Sequence, residues 1–278
     1  MKNDPAGHLV CRCAVSLLLA TGTITATAAQ PLTCRDIAQG IRALDLSSGK
    51  EVPIQAGSQT TFRDAFKECD DRNTFDGKPV PSDHRCRSDK NNVERLLVLS
   101  DHTLIATAKA GVDADGSPLS QMPRGSGKHS TNRQTSANIQ GKSLDAETMP
   151  YVVMPGAEDG PRLTTPTKIG KKDLAIVIYG ERCSFAIVGD MGAYNRFGEI
   201  SMAAHDDLGH PQCPHAEKPC TALQGKDGEG ISIPGGVTYV IFPGTNVGGL
   251  TAENFRAQVA LRGQERIRKL LKDYALKP

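Results

Sequence analysis

The chain has 278 residues, with 33 Lys and Arg against 31 Asp and Glu, for a formal charge of +2. So even a balance, with no basic stripe interleaved with aromatics, excludes the electrostatic grip of a nucleic-acid binder. Beyond the N-terminus no stretch is apolar enough to cross a membrane, and the length suffices for one sizeable core with a small attached segment.

The first 28 residues read as an address. Lys2 and Arg12 are followed by an apolar run from Cys13 to Leu19 and by the small residues Ala26-Thr27-Ala28. That order is a secretory signal peptide, with cleavage expected after Ala28. The apolar run is shorter than the roughly 20 residues of a membrane span, and Pro31-Leu32-Thr33-Cys34 lacks the small residue of a lipoprotein signal. The product is therefore expected to be secreted or periplasmic and free of the membrane. Loss of Lys2, Asp4 and Arg12 lowers its formal charge to +1. Six cysteines then remain: Cys34, Cys69, Cys86, Cys183, Cys213 and Cys220. An even number in an oxidising compartment predicts three disulfides. Short separations favour Cys69–Cys86 and Cys213–Cys220, which leaves Cys34 for Cys183.

Residues 29–98 form a polar, cysteine-containing N-terminal segment expected to pack on the core. Within it, Thr61 to Glu68 has Phe62 and Phe66 four apart on one helical face. The main domain, 99–278, has a β texture already foreshadowed by the apolar run 96–99. Residues 103–108 follow as another short strand, and a Ser-, Gly-, Asn- and Thr-rich loop covers 116–143, too polar to pack. Strands resume at 151–154, then at 174–179 and 183–188, joined as a hairpin through Gly180-Glu181-Arg182. Ile200 to Leu208 reads as a short helix that Glu199 opens, and 237–242 is the last strand. From Thr251 to Leu276, Phe255, Val259, Ile267, Leu270, Leu271 and Tyr274 fall on one helical stripe. Several short strands and one terminal helix predict a mainly β fold, a barrel or sandwich with a few short helices.

Acidic residues gather at strand ends. Asp113 and Asp115 follow the strand at 103–108, Asp190 follows the strand at 183–188, and Glu199 follows Gly198. Residues 191–197 could let Asp190 and Glu199 face each other across a cleft. Glycosidic hydrolysis needs such a pair, one to protonate the departing oxygen and one to activate water or attack the sugar. By pattern alone the signal is weak, since most Asp and Glu residues are solvated surface groups.

Taken in order, these segments resemble the chitosanases of glycoside hydrolase family 75, the fungal-type endo-chitosanases. The resemblance rests on Val112-Asp113-Ala114-Asp115-Gly116, Met149-Pro150-Tyr151-Val152-Val153-Met154-Pro155, Asp173 to Gly180, Val188-Gly189-Asp190-Met191-Gly192, Gly198-Glu199-Ile200-Ser201 and Val237 to Phe242. It spans about 104–245; residues 31–98 and the C-terminal helix fall outside it, and the long loop 117–147 departs from the shorter family members. It implies a compact β-barrel, with the double-psi type as one form, and makes 99–278 a catalytic domain. It also implies endo-hydrolysis of β-1,4-linked chitosan with inversion, with Asp190 and Glu199 as the acid–base pair. A helix N-terminus would favour ionised Glu199 as base, and burial would suit Asp190 as acid.

An acidic cleft would attract the cationic polymer. Asp113, Asp115, Asp206 and Asp207 are candidate subsite residues. With no Trp in the chain, sugar stacking would fall to Tyr151, Tyr194, Phe197 or Tyr239. His205, Asp206, Asp207, His210, Cys213, His215 and Cys220 mimic a metal site, but oxidised cysteines leave ligands without a standard spacing. No metal, no cofactor and no serine or cysteine nucleophile is expected, and a monomer acting on a polysaccharide is the expected state. Two other readings remain open: an exported hydrolase of another cell-wall glycan such as peptidoglycan, and a catalytically silent glycan-binding module.

Overall fold

The structure is a computed structural model and describes residues 30–121, 133–156, 160–214, 218–225 and 230–275. The expected export signal over 1–28, His215 and part of the long loop lie outside the described residues.

Two helices open the fold: α1 (Cys34–Arg42) and, after the short strand β1 (Lys50–Glu51), α2 (Phe62–Arg72). Each begins with a reciprocal capping box, Thr33 with Asp36 and Thr61 with Asp64, which satisfies backbone N–H groups that a helix start leaves bare. A small hairpin follows, β2 (Thr74–Phe75) with β3 (Lys78–Pro79), then β4 (Arg95–Val98) and β5 (Leu104–Asp113). A second small hairpin, β6 (Asn138–Ile139) with β7 (Lys142–Ser143), precedes β8 (Tyr151–Pro155) and the single turn α3 (Thr164–Thr167). The chain ends with β9 (Leu174–Tyr179), β10 (Arg182–Gly192), β11 (Glu199–Ser201), α4 (Met202–Asp207), β12 (Ile233–Phe242) and α5 (Phe255–Asp273).

Six strands close a barrel in the order β5-β11-β8-β10-β9-β12, with β12 pairing back onto β5. Two pairs are parallel, β5 with β11 and β8 with β10, and the rest are antiparallel. The expected mainly β barrel with few helices and a terminal helix is the fold observed. The hairpin predicted at 174–188 is β9–β10, in register from Tyr179 with Arg182 to Leu174 with Ile187.

The apolar runs are long because the strands are buried on both faces. In β9, Leu174, Ile176 and Ile178 join Ile37 and Ile41 of α1 and Val259 and Ile267 of α5 in one cluster. Ala175 and Val177 join Ala106, Ala108, Ala186 and Val188 in the other, together with Phe62 and Phe66 of α2. Each large apolar side chain so buried contributes about 1.5–3 kcal/mol. All three disulfides pair as expected: Cys34–Cys183, Cys69–Cys86 and Cys213–Cys220. Segment 29–98 shares the sheet with the barrel, since β4 pairs with β5 from Arg95 opposite Thr107 to Val98 opposite Leu104.

The long loop departs from expectation. Leu119, Ala137 and Ile139 are buried in the core, so its described parts pack despite their polar composition.

Candidate active site

Four strands bring one residue each into a row. In β11, Glu199 lies opposite Gly111 of β5 and opposite Val153 of β8, and Val153 in turn lies opposite Asp190 of β10. The order across the sheet is therefore Gly111, Glu199, Val153, Asp190. Directly paired residues project to the same face, and neighbouring strands lie about 4.8 Å apart, so two steps separate the Cα atoms of Glu199 and Asp190 by about 10 Å. Val153, Asp190 and Glu199, with Asp113 and Asp115, line one cleft of about 560 Å³.

Local sequence explains each placement. Asp190 does not follow its strand but lies inside it, because the pairing with β8 slips between Val188 and Asp190. The residue in the slip is Gly189, where a Cβ would collide with Tyr151 and Leu144. Glu199 is likewise in a strand, not at a helix start; α4 begins at Met202, capped by Ser201. Before it stands Gly198, whose φ of +84° and close approach to the Lys109 carbonyl admit no side chain. A dipole argument for ionised Glu199 therefore fails. Burial instead raises the Glu199 carboxyl above its ordinary range, only partly offset by the nearby Lys109 ammonium.

Asp190 has a different environment. Its Oδ1 accepts the backbone N–H groups of Ser136 and Met191, each at 2.8 Å. Such donors orient the carboxylate and strengthen as it carries charge. Asp113 ends β5 and its Oδ1 accepts the N–H of Asp115 at 2.8 Å. Carboxylate oxygens of Asp113, Asp115 and Asp190 come within 4.8 Å of one another. Burial, and then the Asp115 charge, hold the Asp113 carboxyl well above the carboxylate range. Asp115 is pushed up to about 6 by burial and by Asp190, against the pull of Arg133. Burial and the closeness of like charges thus favour the protonated forms of Asp113 and Asp115. A cluster of acids alone is not a metal centre, and we assign no ion to it.

Other expected site residues go elsewhere. Asp206 faces Lys218 at 3.6 Å, and Asp207 binds Arg256 and Ser184, so neither lines the cleft. The candidate stacking platforms are core residues: Tyr151, Phe197, Tyr239 and Tyr194 are all at least nine-tenths buried. Tyr151 donates its hydroxyl to the Asp115 carbonyl and Tyr239 to that of Lys109, while Tyr194 packs against Phe75 and His84. No ring face of these four is left for a sugar. The metal mimic also dissolves. Buried His205 meets the Gly111 carbonyl through Nε2 and is pushed down to about 4 by burial, which keeps it neutral, and Cys213 is bonded to Cys220.

Several cleft residues escaped sequence reasoning: Asp83 and His84 of the N-terminal segment, Arg133, and the Ser136 N–H. None carries a local motif. A lysine in the apolar stretch Thr107-Ala108-Lys109-Ala110 did carry a signal, because a strand buried on both faces must pair such a charge.

The sequence model of a family described as fungal chitosanase of glycosyl hydrolase group 75 matches residues 110–274. The match starts within β5, takes in the whole carboxylate row and runs through α5, beyond the segment that the resemblance covered. No curated protein matches the chain.

Proposed function

From the premise that the chain belongs to the chitosanase family of glycosyl hydrolase group 75, we propose that it cleaves β-1,4 links within chitosan chains, with inversion, through Glu199 as general acid and Asp190 as general base. The observation that carries this reading is the row Glu199–Val153–Asp190. Two carboxylates about 10 Å apart at Cα, with a valine between them, leave room for a sugar and a water. Inverting glycosidases separate the paired carboxyls by about 6.5–9.5 Å, whereas retaining enzymes bring them to about 5 Å.

Roles follow from environment. Burial raises the Glu199 carboxyl, which suits it to the role of protonating the departing glycosidic oxygen. Asp190, held by two N–H donors, accepts a proton from water as the water attacks the anomeric carbon from the opposite face. The proton lost by water ends on Asp190 and that of Glu199 on the new hydroxyl, and solvent resets the pair. Asp115, ionised at pH 7, supplies negative charge beside the pair, which favours cationic glucosamine units over neutral acetylated ones. The three disulfides suit an oxidising compartment, in keeping with an export signal over 1–28 and a secreted or periplasmic enzyme.

The test is turnover of soluble chitosan by the parent protein and by Asp190→Asn and Glu199→Gln. Each replacement removes a charge with little change of shape and should lower kcat about 100-fold to 10,000-fold with Tm retained. Near-parental rates in either variant would remove that residue from the chemistry. Chitin or peptidoglycan cleaved as fast as chitosan would overturn the substrate assignment.

A further inference from the structure

The chemistry above leaves the buried charge of Lys109 unused. Lys109 in β5 is 2% exposed, and its Nζ meets Oδ1 of Asp89 at 2.6 Å. Asp89 is half exposed and also receives Arg196, at 2.6 Å on its carbonyl and 2.9 Å on Oδ2. Arg196 lies in the connection between Asp190 and Glu199 and reaches the Arg85 carbonyl as well, at 2.7 Å. Asn195 beside it donates to the His84 carbonyl at 2.6 Å, and Phe197 N–H to Asn91 Oδ1 at 2.9 Å. The N-terminal segment thus grips residues 194–197 of the connection that leads into Glu199.

The lysine end of this grip lies beside the acid. A Cβ built on Gly111 would lie 3.2 Å from Glu199 Cγ and 3.6 Å from Lys109 Nζ, so the two side chains share the space that a missing side chain leaves. We propose that Asp89, Lys109 and Arg196 form a charged clamp whose positioning residues, Lys109 and Asp89, hold Glu199 in place and set its hold on the proton. This rests on the reading of Glu199 as proton donor. Asp89 and Lys109 both precede the family-matched segment 110–274, so the clamp adds a part drawn from the N-terminal segment.

The sign of each effect follows from charge. Groups facing Glu199 are Lys109 and Asp113 on β5, Asp115 just beyond it, Asp190 on β10, Arg196 in the connection, Asp89 from the N-terminal segment and the Tyr239 hydroxyl on β12. The Lys109 cation favours ionised Glu199, and the Asp89 anion opposes it. Removing either charge should therefore shift the Glu199 titration in opposite directions, which a merely structural pair would not do. Lys109→Met should also fold: removing one member of an ion pair is costly where the other is left buried and unpaired, but Asp89 is half exposed and keeps Arg196.

The experiment is the pH profile of kcat/KM on soluble chitosan for the full chain, Lys109→Met, Asp89→Asn and Lys109→Arg, each with its Tm. The alkaline limb reports the acid. It should move up by about one pH unit in Lys109→Met, move down by less in Asp89→Asn, and return towards the parental position in Lys109→Arg. A limb that stays fixed, or moves the same way in the first two variants, overturns the clamp. Should the parent not cleave chitosan, the proposed reaction fails by itself. The clamp is then read from the ¹³C titration of the Glu199 carboxyl without substrate, where the same opposite shifts are expected and their absence refutes it.

Discussion

Replacing Asp115 by Asn should make the protein more stable and a poorer enzyme. In the fold the Asp115 carboxyl is pushed from 3.8 up to about 6, chiefly by burial and by the Asp190 charge, so at pH 7 it is ionised at a cost. A gap of roughly two pH units would correspond to about 3 kcal/mol for a fully buried carboxyl once both forms have ionised, and solvent screening of the partly exposed Asp115 lowers that to about half. Because the folded form holds its proton more tightly, stability is greatest at low pH. It falls as pH rises from about 4 through about 6. Asparagine removes this penalty along with the attraction to Arg133 and the charge that raises Asp113. We expect a gain of about 1–2 kcal/mol at pH 7, which for a chain of this size is about 3–6 °C in Tm. Thermal melts followed by circular dichroism at about pH 3, below both values, and at pH 7 provide the assay. The variant should gain at pH 7, match the parent at the acid pH, and show a higher KM for chitosan with a smaller change in kcat. An equal gain at both pH values, or a loss at pH 7, would refute the electrostatic reasoning.

Two further outcomes follow from packing and covalent structure. Gly111→Ala places a methyl 3.2 Å from Glu199 Cγ, tighter than ordinary contact, so kcat should fall about 10-fold to 100-fold with little change in Tm; steady-state kinetics beside a melt will show it. Opening the Cys34–Cys183 bridge with paired Ser substitutions frees α1 from β10 across a sequence separation of 149 residues and should cost about 2–5 kcal/mol; denaturant titration measures the loss.

The barrel was legible because its strands announce themselves. Leu174 to Tyr179 and Cys183 to Val188 are apolar on both faces, as strands in a doubly covered sheet must be. Spacing favoured Cys69–Cys86 and Cys213–Cys220 among the 15 pairings that six cysteines allow, and Cys34–Cys183 came only as the remainder. Glu199 was assigned to the wrong element because Glu199-Ile200-Ser201 is too short to display a period of two, and it runs straight into the helix that Ser201 caps. Helix α1 went unread since only Ile37, Ala38 and Ile41 of its nine residues are buried, and its clearest mark is the capping box at Thr33. The aromatics misled for another reason. Tyr151 and Tyr239 are amphipathic, and only the fold reveals that a backbone carbonyl, Asp115 for one and Lys109 for the other, takes each hydroxyl inside the core. The carboxylates were legible as candidates, but what separates their roles is tertiary. The Ser136 N–H reaches Asp190 from 54 residues away, and Lys109 finds Asp89 at a distance of 20.

The anomeric configuration of the first product tests the central claim most directly. Proton NMR on fresh chitosan digests, recorded before mutarotation, reads it. A water admitted between Asp190 and Glu199 must arrive from the face opposite the broken β bond, so α-configured reducing ends should appear first and β ends only later. Reducing ends that appear first as β would mean two displacements through a covalent intermediate, and the wide Glu199–Val153–Asp190 spacing could not then be the working geometry.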